Sequence, residues 1–121
     1  MPPLIEIKRA YDRPLKKDGF RILVDRIWPR GIKTEVIEID EWAKDIAPSP
    51  ALRKWFGHDP KFWNEFQRKY KSELKKNKGV DVFVDRHKDK KLVTLIYAAK
   101  DEHHNHALVL QKYLQERYAD S

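Results

Sequence analysis

Residues 92–114, LVTLIYAAKDEHHNHALVLQKYL, decide how this chain folds. The first six, 92–97, form an apolar run, broken only by Thr94, with the length of a buried strand. From residue 107 onward, apolar side chains recur at helical spacing, which predicts a helix. A polar loop with three histidines separates the two. A strand that leads through a short loop into a helix is typical of α/β proteins with parallel sheets.

Two earlier segments also predict strands. Residues 4–7, LIEI, form a short strand candidate, and residues 20–26, FRILVDR, suit a buried strand. The second run ends at WPRG, where Pro29 and Gly31 stop the ladder and favour a turn. We therefore expect at least three strands, each leaving polar residues at its carboxyl end.

The chain between the second and last strands is rich in helix signals. Residues 79–87, GVDVFVDRH, fit either a strand or a helix, and the helix is favoured because a parallel crossover needs one. Capping residues predict three further helices: Asp40 before residues 41–47, Ser49 before residues 50–56, and Asp59 before residues 60–76. The sequence thus predicts a small layered α/β fold. A largely parallel sheet is flanked by helices, with a helical insertion after the second strand.

Composition limits what this fold can be. We expect residues 1–121 to form a single domain, since the length suits one hydrophobic core. No run approaches the roughly 18 apolar residues of a membrane span, and the first residues do not resemble an export signal. We therefore expect a cytoplasmic protein without membrane association. The absence of cysteine excludes disulfides, thiolate catalysis and cysteine metal sites.

The positive charge is concentrated in one segment. Of the net charge of +7, most lies in residues 61–91, which hold eleven Lys or Arg against five Asp or Glu. The favoured interpretation is the solvated faces of helices. The alternative is a nucleic-acid-associated or protein-interaction module that uses this Lys-rich surface. Nucleic acid is not the expected partner, because the segment carries no recognised binding motif.

Two strand ends carry distinctive side chains. In parallel sheets, ligands bind outside the carboxyl ends of the strands. These residues are Asp25, Arg26, Trp28 and Arg30 at and beyond the end of the second strand, and Tyr97, Lys100 and Asp101 at and beyond the end of the last strand. Arg26, Arg30 and Lys100 near a helix N-terminus would form an anion site. Alternatively, Asp25 pairs with an arginine and merely ties loops together, and the sequence leaves both possibilities open.

The histidine cluster has three interpretations. If the last helix extends backwards, His106 and His103 point towards the sheet and His104 points outward. A metal site is disfavoured, because tetrahedral zinc takes three or four protein ligands. Asn105 and one histidine suit a helix cap. His106 also suits a catalytic or ligand-binding role with Asp25, since histidine titrates near neutral pH.

Three long stretches carry a family resemblance: FRILVDRIWPRGIKT, DEWAKDIAPSPALRKWFGHDPKFWNEFQRKYKSEL and LVTLIYAAKDEHHNHALVLQKYL. Together they resemble the domain-of-unknown-function family 488 (DUF488), in its YeaO-like branch. The resemblance covers residues 4–117. It implies a compact α/β domain of a bacterial or archaeal cytoplasmic protein, and it implies no particular reaction.

Larger, more distant members of that family end the same strand with a pattern resembling CAEKDPEHCHR. In this chain, Tyr97 and Asn105 stand where those members have cysteine, and Ala107 stands where they have arginine. The matching residues are Lys100, Asp101, His104 and His106. The departures remove any thiol nucleophile or redox pair, so chemistry at this site must use His, Asp, Lys or Arg.

The predicted function is binding of a small anionic or phosphorylated ligand at the strand ends, by a protein that is either an enzyme or a binder. His106 or Asp25 would move protons. The predicted ligand contacts are Arg26, Trp28, Arg30, Tyr97, Lys100, Asp101, His104 and Asn105. We expect a pocket bounded by Trp28, Tyr97 and the start of the last helix. No metal site is predicted, and the sequence defines neither a cofactor nor the oligomeric state.

Overall fold

Four parallel strands form the sheet in the computed structural model, which describes residues 2–120. The strands are β1 (Leu4–Arg9), β2 (Phe20–Leu23), β3 (Glu41–Trp42) and β4 (Leu92–Tyr97). Their order across the sheet is β1-β4-β2-β3, and every neighbouring pair is parallel. The predicted small α/β fold with a parallel sheet is confirmed.

In residues 2–120, five α-helices accompany the sheet: α1 (Thr34–Ile37), α2 (Pro50–Phe56), α3 (Trp63–Lys76), α4 (Lys78–His87) and α5 (His106–Ala119). Short 3-10 turns lie at Lys16–Asp18, Lys44–Ile46 and Pro60–Phe62. The helices α2, α3 and α4 form the insertion that follows β2 and the short β3. Within residues 2–120, no helix has the length and apolar character needed to cross a membrane.

The helix predicted over residues 41–47 is wrong. Residues 41 and 42 instead form β3, beside Ile22 and Leu23 of β2, and a 3-10 turn follows. The carboxylate of Asp40 does not cap a helix, because it accepts the backbone N–H of Arg21 at 2.8 Å. The open edge of β2 supplies backbone partners for this segment, and these tertiary hydrogen bonds override its helical spacing.

The helix signals at Ser49 and at residues 79–87 act as predicted, whereas Asp59 caps the 3-10 turn Pro60–Phe62 that precedes α3. The side chain of Ser49 accepts the backbone N–H of Leu52, and α2 ends at Gly57 in the left-handed conformation. The ambiguous segment 79–87 lies within helix α4, as favoured. These ends follow from local hydrogen bonding, which a short stretch of sequence specifies by itself.

The main core lies on one face of the sheet. Helices α3 and α5 pack together there, and α5 also packs on β1. Its central side chains are fully buried: Ile22, Leu95, Phe66, Leu110 and Leu114. The opposite face has a thinner cover, in which Ile37, Trp28 and Ile32 pack over Leu23 and Ile96.

A buried ion network completes the thinner face. The carboxylate of Asp18 lies 3.0 Å from Nζ of Lys8 and 2.7 Å from Nη1 of Arg21. Arg21 also donates to the carbonyl oxygen of Ile37 at 2.7 Å. Burial by itself raises the pKa of Asp18, but hydrogen bonds from the Leu15 backbone, Lys8 and Arg21 outweigh it and lower that pKa.

Candidate functional site

A cavity of about 890 Å³ opens at the carboxyl ends of β2 and β4. Its walls are the loop after β2, the helix α2 with the loop that follows it, and the loop after β4. The side chains of Phe56 and Phe66 contribute to its lining and are buried. The position agrees with the rule that parallel sheets bind ligands where their strands end.

Asp25 and His106 meet at this cavity. Nε2 of His106 lies 2.9 Å from Oδ1 of Asp25 and 3.1 Å from the carbonyl oxygen of Val24. Only the contact with Val24 has hydrogen-bond geometry, and Oδ1 of Asp25 is a buried atom without such a partner. Because a carbonyl oxygen can only accept, the Val24 contact favours the tautomer that carries the proton on Nε2.

The opposite nitrogen of His106 is therefore the one available for a ligand. Nδ1 has no hydrogen-bond partner within residues 2–120, and it is not among the fully buried atoms without a partner. In this tautomer it carries a lone pair and accepts a hydrogen bond. The second oxygen of Asp25, Oδ2, accepts the backbone N–H of Ala98 at 3.1 Å, which ties the ends of β2 and β4.

Residues 103–105 form a tight turn ahead of α5, and the helix begins at His106. The Asp101 carboxylate accepts the backbone N–H groups of His103 and His104, at 2.9 and 3.1 Å. The side chain of Asn105 accepts from Leu108 at the start of α5. These hydrogen bonds identify Asn105 as the helix cap, one of the roles left open by the sequence.

The predicted inward direction of His103 is wrong, because helical spacing does not continue before residue 106. His103 is exposed. His104 is half-buried, with its ring 5.4 Å from that of Trp63 and Nδ1 2.9 Å from the Asp101 carboxylate. Hydrogen bonds from the His103 backbone and the His104 side chain lower the pKa of Asp101.

Four cationic side chains line the cavity without a partner. Arg30 and Lys100 come from the loops after β2 and β4, and Arg53 and Lys54 come from α2. Within residues 2–120, none of these side chains forms an ion pair or a hydrogen bond. Arg26 differs, since it donates to the carbonyl oxygens of Pro48 and Ala47 at 3.2 and 3.1 Å. It holds the start of α2 in place.

Aromatic residues position the loops that carry these cations. The Tyr11 hydroxyl donates to the carbonyl oxygen of Arg30 at 2.9 Å. The Trp28 indole donates to the carbonyl oxygen of Ile32 at 2.7 Å. The Trp42 indole donates to the backbone carbonyl of Asp25 at 2.7 Å, so the edge strand β3 also supports the site.

Tyr97 and His104 do not line the cavity, whereas the other predicted site residues do. Tyr97 is buried beneath it, and burial, followed by the charge of Glu102, raises the pKa of its hydroxyl. Its side chain interacts with that of Asn105, which opposes this increase. The two positions where distant family members carry cysteine are thus neighbours here, occupied by a tyrosine and an asparagine.

Sequence reasoning did not assign several lining residues to the site. They include Tyr11, Arg53, Lys54 and His58. One structural feature distinguishes His58. It follows Gly57 and has a positive φ of 58°. Non-glycine residues at such angles are strained and are enriched at functional sites. Its side chain is exposed at the cavity.

No group of three metal-ligating side chains comes together anywhere in residues 2–120. The fold and the cavity define a small α/β protein with a cationic pocket at the ends of parallel strands. The family model for the "Inactive DUF488-N3 subclade" matches residues 4–121. The chain belongs to the DUF488 family, in its YeaO-like branch.

Relatives of this chain are bacterial proteins described as uncharacterized. The Uncharacterized protein YeaO of Escherichia coli (strain K12) is 42% identical over 111 residues, which is 92% of this chain and 96% of that protein. The Uncharacterized protein Rv3073c of Mycobacterium tuberculosis (strain ATCC 25618 / H37Rv) is 34% identical over 113 residues, with 93% and 95% covered. No solved structure is significantly similar to the chain.

Proposed function

We propose that the cavity binds a small anionic or phosphorylated ligand. The observation that carries this proposal is the set of four cations around it without a carboxylate partner, namely Arg30, Arg53, Lys54 and Lys100. Their charges converge from three segments of the chain, so they repel one another until an anion compensates them. Asn105 and His106 place the start of α5 at the same cavity, and a helix N-terminus favours negative charge.

We further propose that this site binds its ligand without converting it. The matching family model describes its subclade as inactive. The cavity lining, as far as residues 2–120 define it, contains no serine, threonine or cysteine. Asp25 already accepts the Ala98 backbone N–H, so the carboxylate also has a structural role. His106 would then serve as a hydrogen-bond acceptor for the ligand through Nδ1.

Isothermal titration calorimetry with inorganic phosphate, pyrophosphate and sulfate tests the proposal. We expect at least one anion to bind, and Lys54→Gln and Lys100→Gln each to weaken binding about tenfold, as for a lost hydrogen bond to a charged group. Lys112→Gln is the matched control, because Lys112 is an exposed lysine of α5 outside the cavity. Absence of heat with all three anions, or equal losses in the control variant, contradicts the proposal.

The Lys-rich surface of residues 61–91 has weaker support as a nucleic-acid or protein-interaction site. Several of its cations already contact carboxylates: Arg68 with Glu65, Arg86 with Glu41, and Lys88 with Asp85. Lys75, Lys76 and Lys78 are exposed. If this surface bound nucleic acid, affinity for a mixed-sequence oligonucleotide would fall with salt, and less steeply after neutralising these three lysines.

A further inference from the structure

We propose that the ligand of this cavity is amphiphilic, with an anionic group joined to an uncharged apolar body about the size of an aromatic ring. The inference rests on the proposed anion-binding function and goes further by naming the class of ligand. A phosphate monoester of an aromatic alcohol belongs to this class. The anionic group would lie at the mouth of the cavity and the apolar body would lie within it.

The cavity has two zones of different chemistry. Each of the four unpaired cations is exposed to solvent, so positive charge surrounds the mouth. The deeper lining includes Phe56 and Phe66, which are 5% and 1% exposed. Pro29 and Pro48 are buried and line it as well. Binding is favoured when an apolar group of the ligand displaces water from such an apolar cavity wall.

The charge inside the cavity also opposes a ligand that is anionic throughout. The Asp25 carboxylate lies beside His106, and its side chain is only 16% exposed. At such a partly buried position, repulsion between like charges is less screened than at the surface. An anionic group is therefore favoured at the mouth, near Lys54 and Lys100, and disfavoured beside Asp25.

The size of the cavity supports the same conclusion. Its volume of about 890 Å³ lies in the range of sites for drug-sized ligands, roughly 300–1,000 Å³. A bare phosphate or sulfate ion occupies only a small part of this space. It would leave the apolar walls in contact with water, whereas an attached ring would cover part of them.

Calorimetry with three probes tests this inference on the unmodified protein: phenyl phosphate, inorganic phosphate and phenol. We expect phenyl phosphate to bind at least about tenfold more tightly than inorganic phosphate, since a ring is buried in the first case only. Phenol is expected to bind more weakly than phenyl phosphate, because it lacks the anionic group.

A pair of variants tests whether the ring contacts an apolar side chain of the lining. Ile27 lines the cavity and Val36 lies outside it in α1, and both side chains are 59% exposed. Ile27→Ser is expected to weaken binding of phenyl phosphate about threefold or more and to leave inorganic phosphate unaffected. Val36→Ser is the control and should change neither affinity.

The outcomes separate this inference from the function on which it rests. Equal affinity for phenyl phosphate and inorganic phosphate overturns the amphiphilic class and leaves the anion site in place. Failure of both anions to bind overturns the anion site itself. Tighter binding of phenol than of phenyl phosphate would show that the cations around the mouth do not attract the ligand, and it contradicts both.

Discussion

His106 and Asp25 join the first turn of α5 to the end of β2, with Nε2 and Oδ1 2.9 Å apart. The same nitrogen donates to the Val24 carbonyl, and the other Asp25 oxygen accepts from Ala98 after β4. One carboxylate therefore contacts both the first turn of α5 and the loop after β4. This arrangement fixes the geometry of the site before any ligand arrives, which reduces the entropy lost on binding.

We expect Asp25→Ala to lower the free energy of unfolding by about 1–3 kcal/mol, because the Ala98 N–H loses its acceptor at the junction of two strands. Asp25→Asn retains an acceptor oxygen and should cost less. Urea denaturation measures both changes. Asp89→Ala, at an exposed turn residue, is the control, and an equal loss in that variant would contradict this role of Asp25.

Asp18→Asn should be strongly destabilising, by about 3–5 kcal/mol at neutral pH, because it leaves Lys8 and Arg21 without their buried carboxylate. The control is Asp85→Asn, which removes an exposed pair with Lys88 and should change stability only slightly. Denaturation midpoints measure the difference. Similar effects of the two substitutions would show that the network on the thinner face is not stabilising.

The effect of Asp18 should depend on pH. Its folded-state pKa is lowered from 3.8, so its contribution is fully present above that value and is lost as the pH falls through the folded-state pKa. The stability difference between the protein and Asp18→Asn should therefore shrink in acid. A difference that stays constant down to the acid limit of folding would contradict the assignment.

His87 should produce the same trend at a higher pH, just below neutral. Its side chain is 1% exposed, with Nε2 3.2 Å from a Glu41 oxygen. Burial lowers the pKa of His87 below 6.5, although the Glu41 charge opposes this and the charges of Lys90 and Arg86 add to it. As the pH falls below 6.5, the unfolded chain binds the proton more readily than the folded state, so stability decreases.

Replacement by an uncharged side chain tests this effect. His87→Leu should remove part of the loss of stability between about pH 7 and pH 5, because leucine takes up no proton in either state. Thermal denaturation at several pH values measures the slope. His103→Gln is the control at an exposed histidine, and its curve should run parallel to that of the unchanged protein. Parallel curves for His87→Leu would contradict the prediction.

Gly19 should not tolerate alanine. Its φ is 68°, and a Cβ there would lie 2.6 Å from the Leu92 carbonyl oxygen, so backbone strain and a collision act together. Gly31 has a φ of 78° with nothing within 4 Å of such an atom. We expect about 1 kcal/mol of strain for Gly31→Ala and clearly more for Gly19→Ala. Equal losses in urea denaturation would show that the approach of Leu92 has no effect.

The sequence by itself determined the elements that depend on neighbouring residues. The apolar runs at 4–7 and 92–97, the cap at Ser49 and the end of α2 at Gly57 all follow from periodicity or from hydrogen bonds within a few positions. For the same reason the polar residues at strand ends could be identified as candidates. Parallel strands place those ends on one edge of a sheet.

Tertiary structure alone decided which of those candidates meet. Asp25 and Ala98 are 73 positions apart, and no local pattern encodes their contact. Residues 41 and 42 form a strand and not the predicted helix, because they pair with β2. Tyr97 does not line the cavity, because it is buried. Arg53 and Lys54 reached the cavity only because α2 packs beside the strand ends. Such contacts depend on how distant segments share one core, which spacing along the chain does not specify.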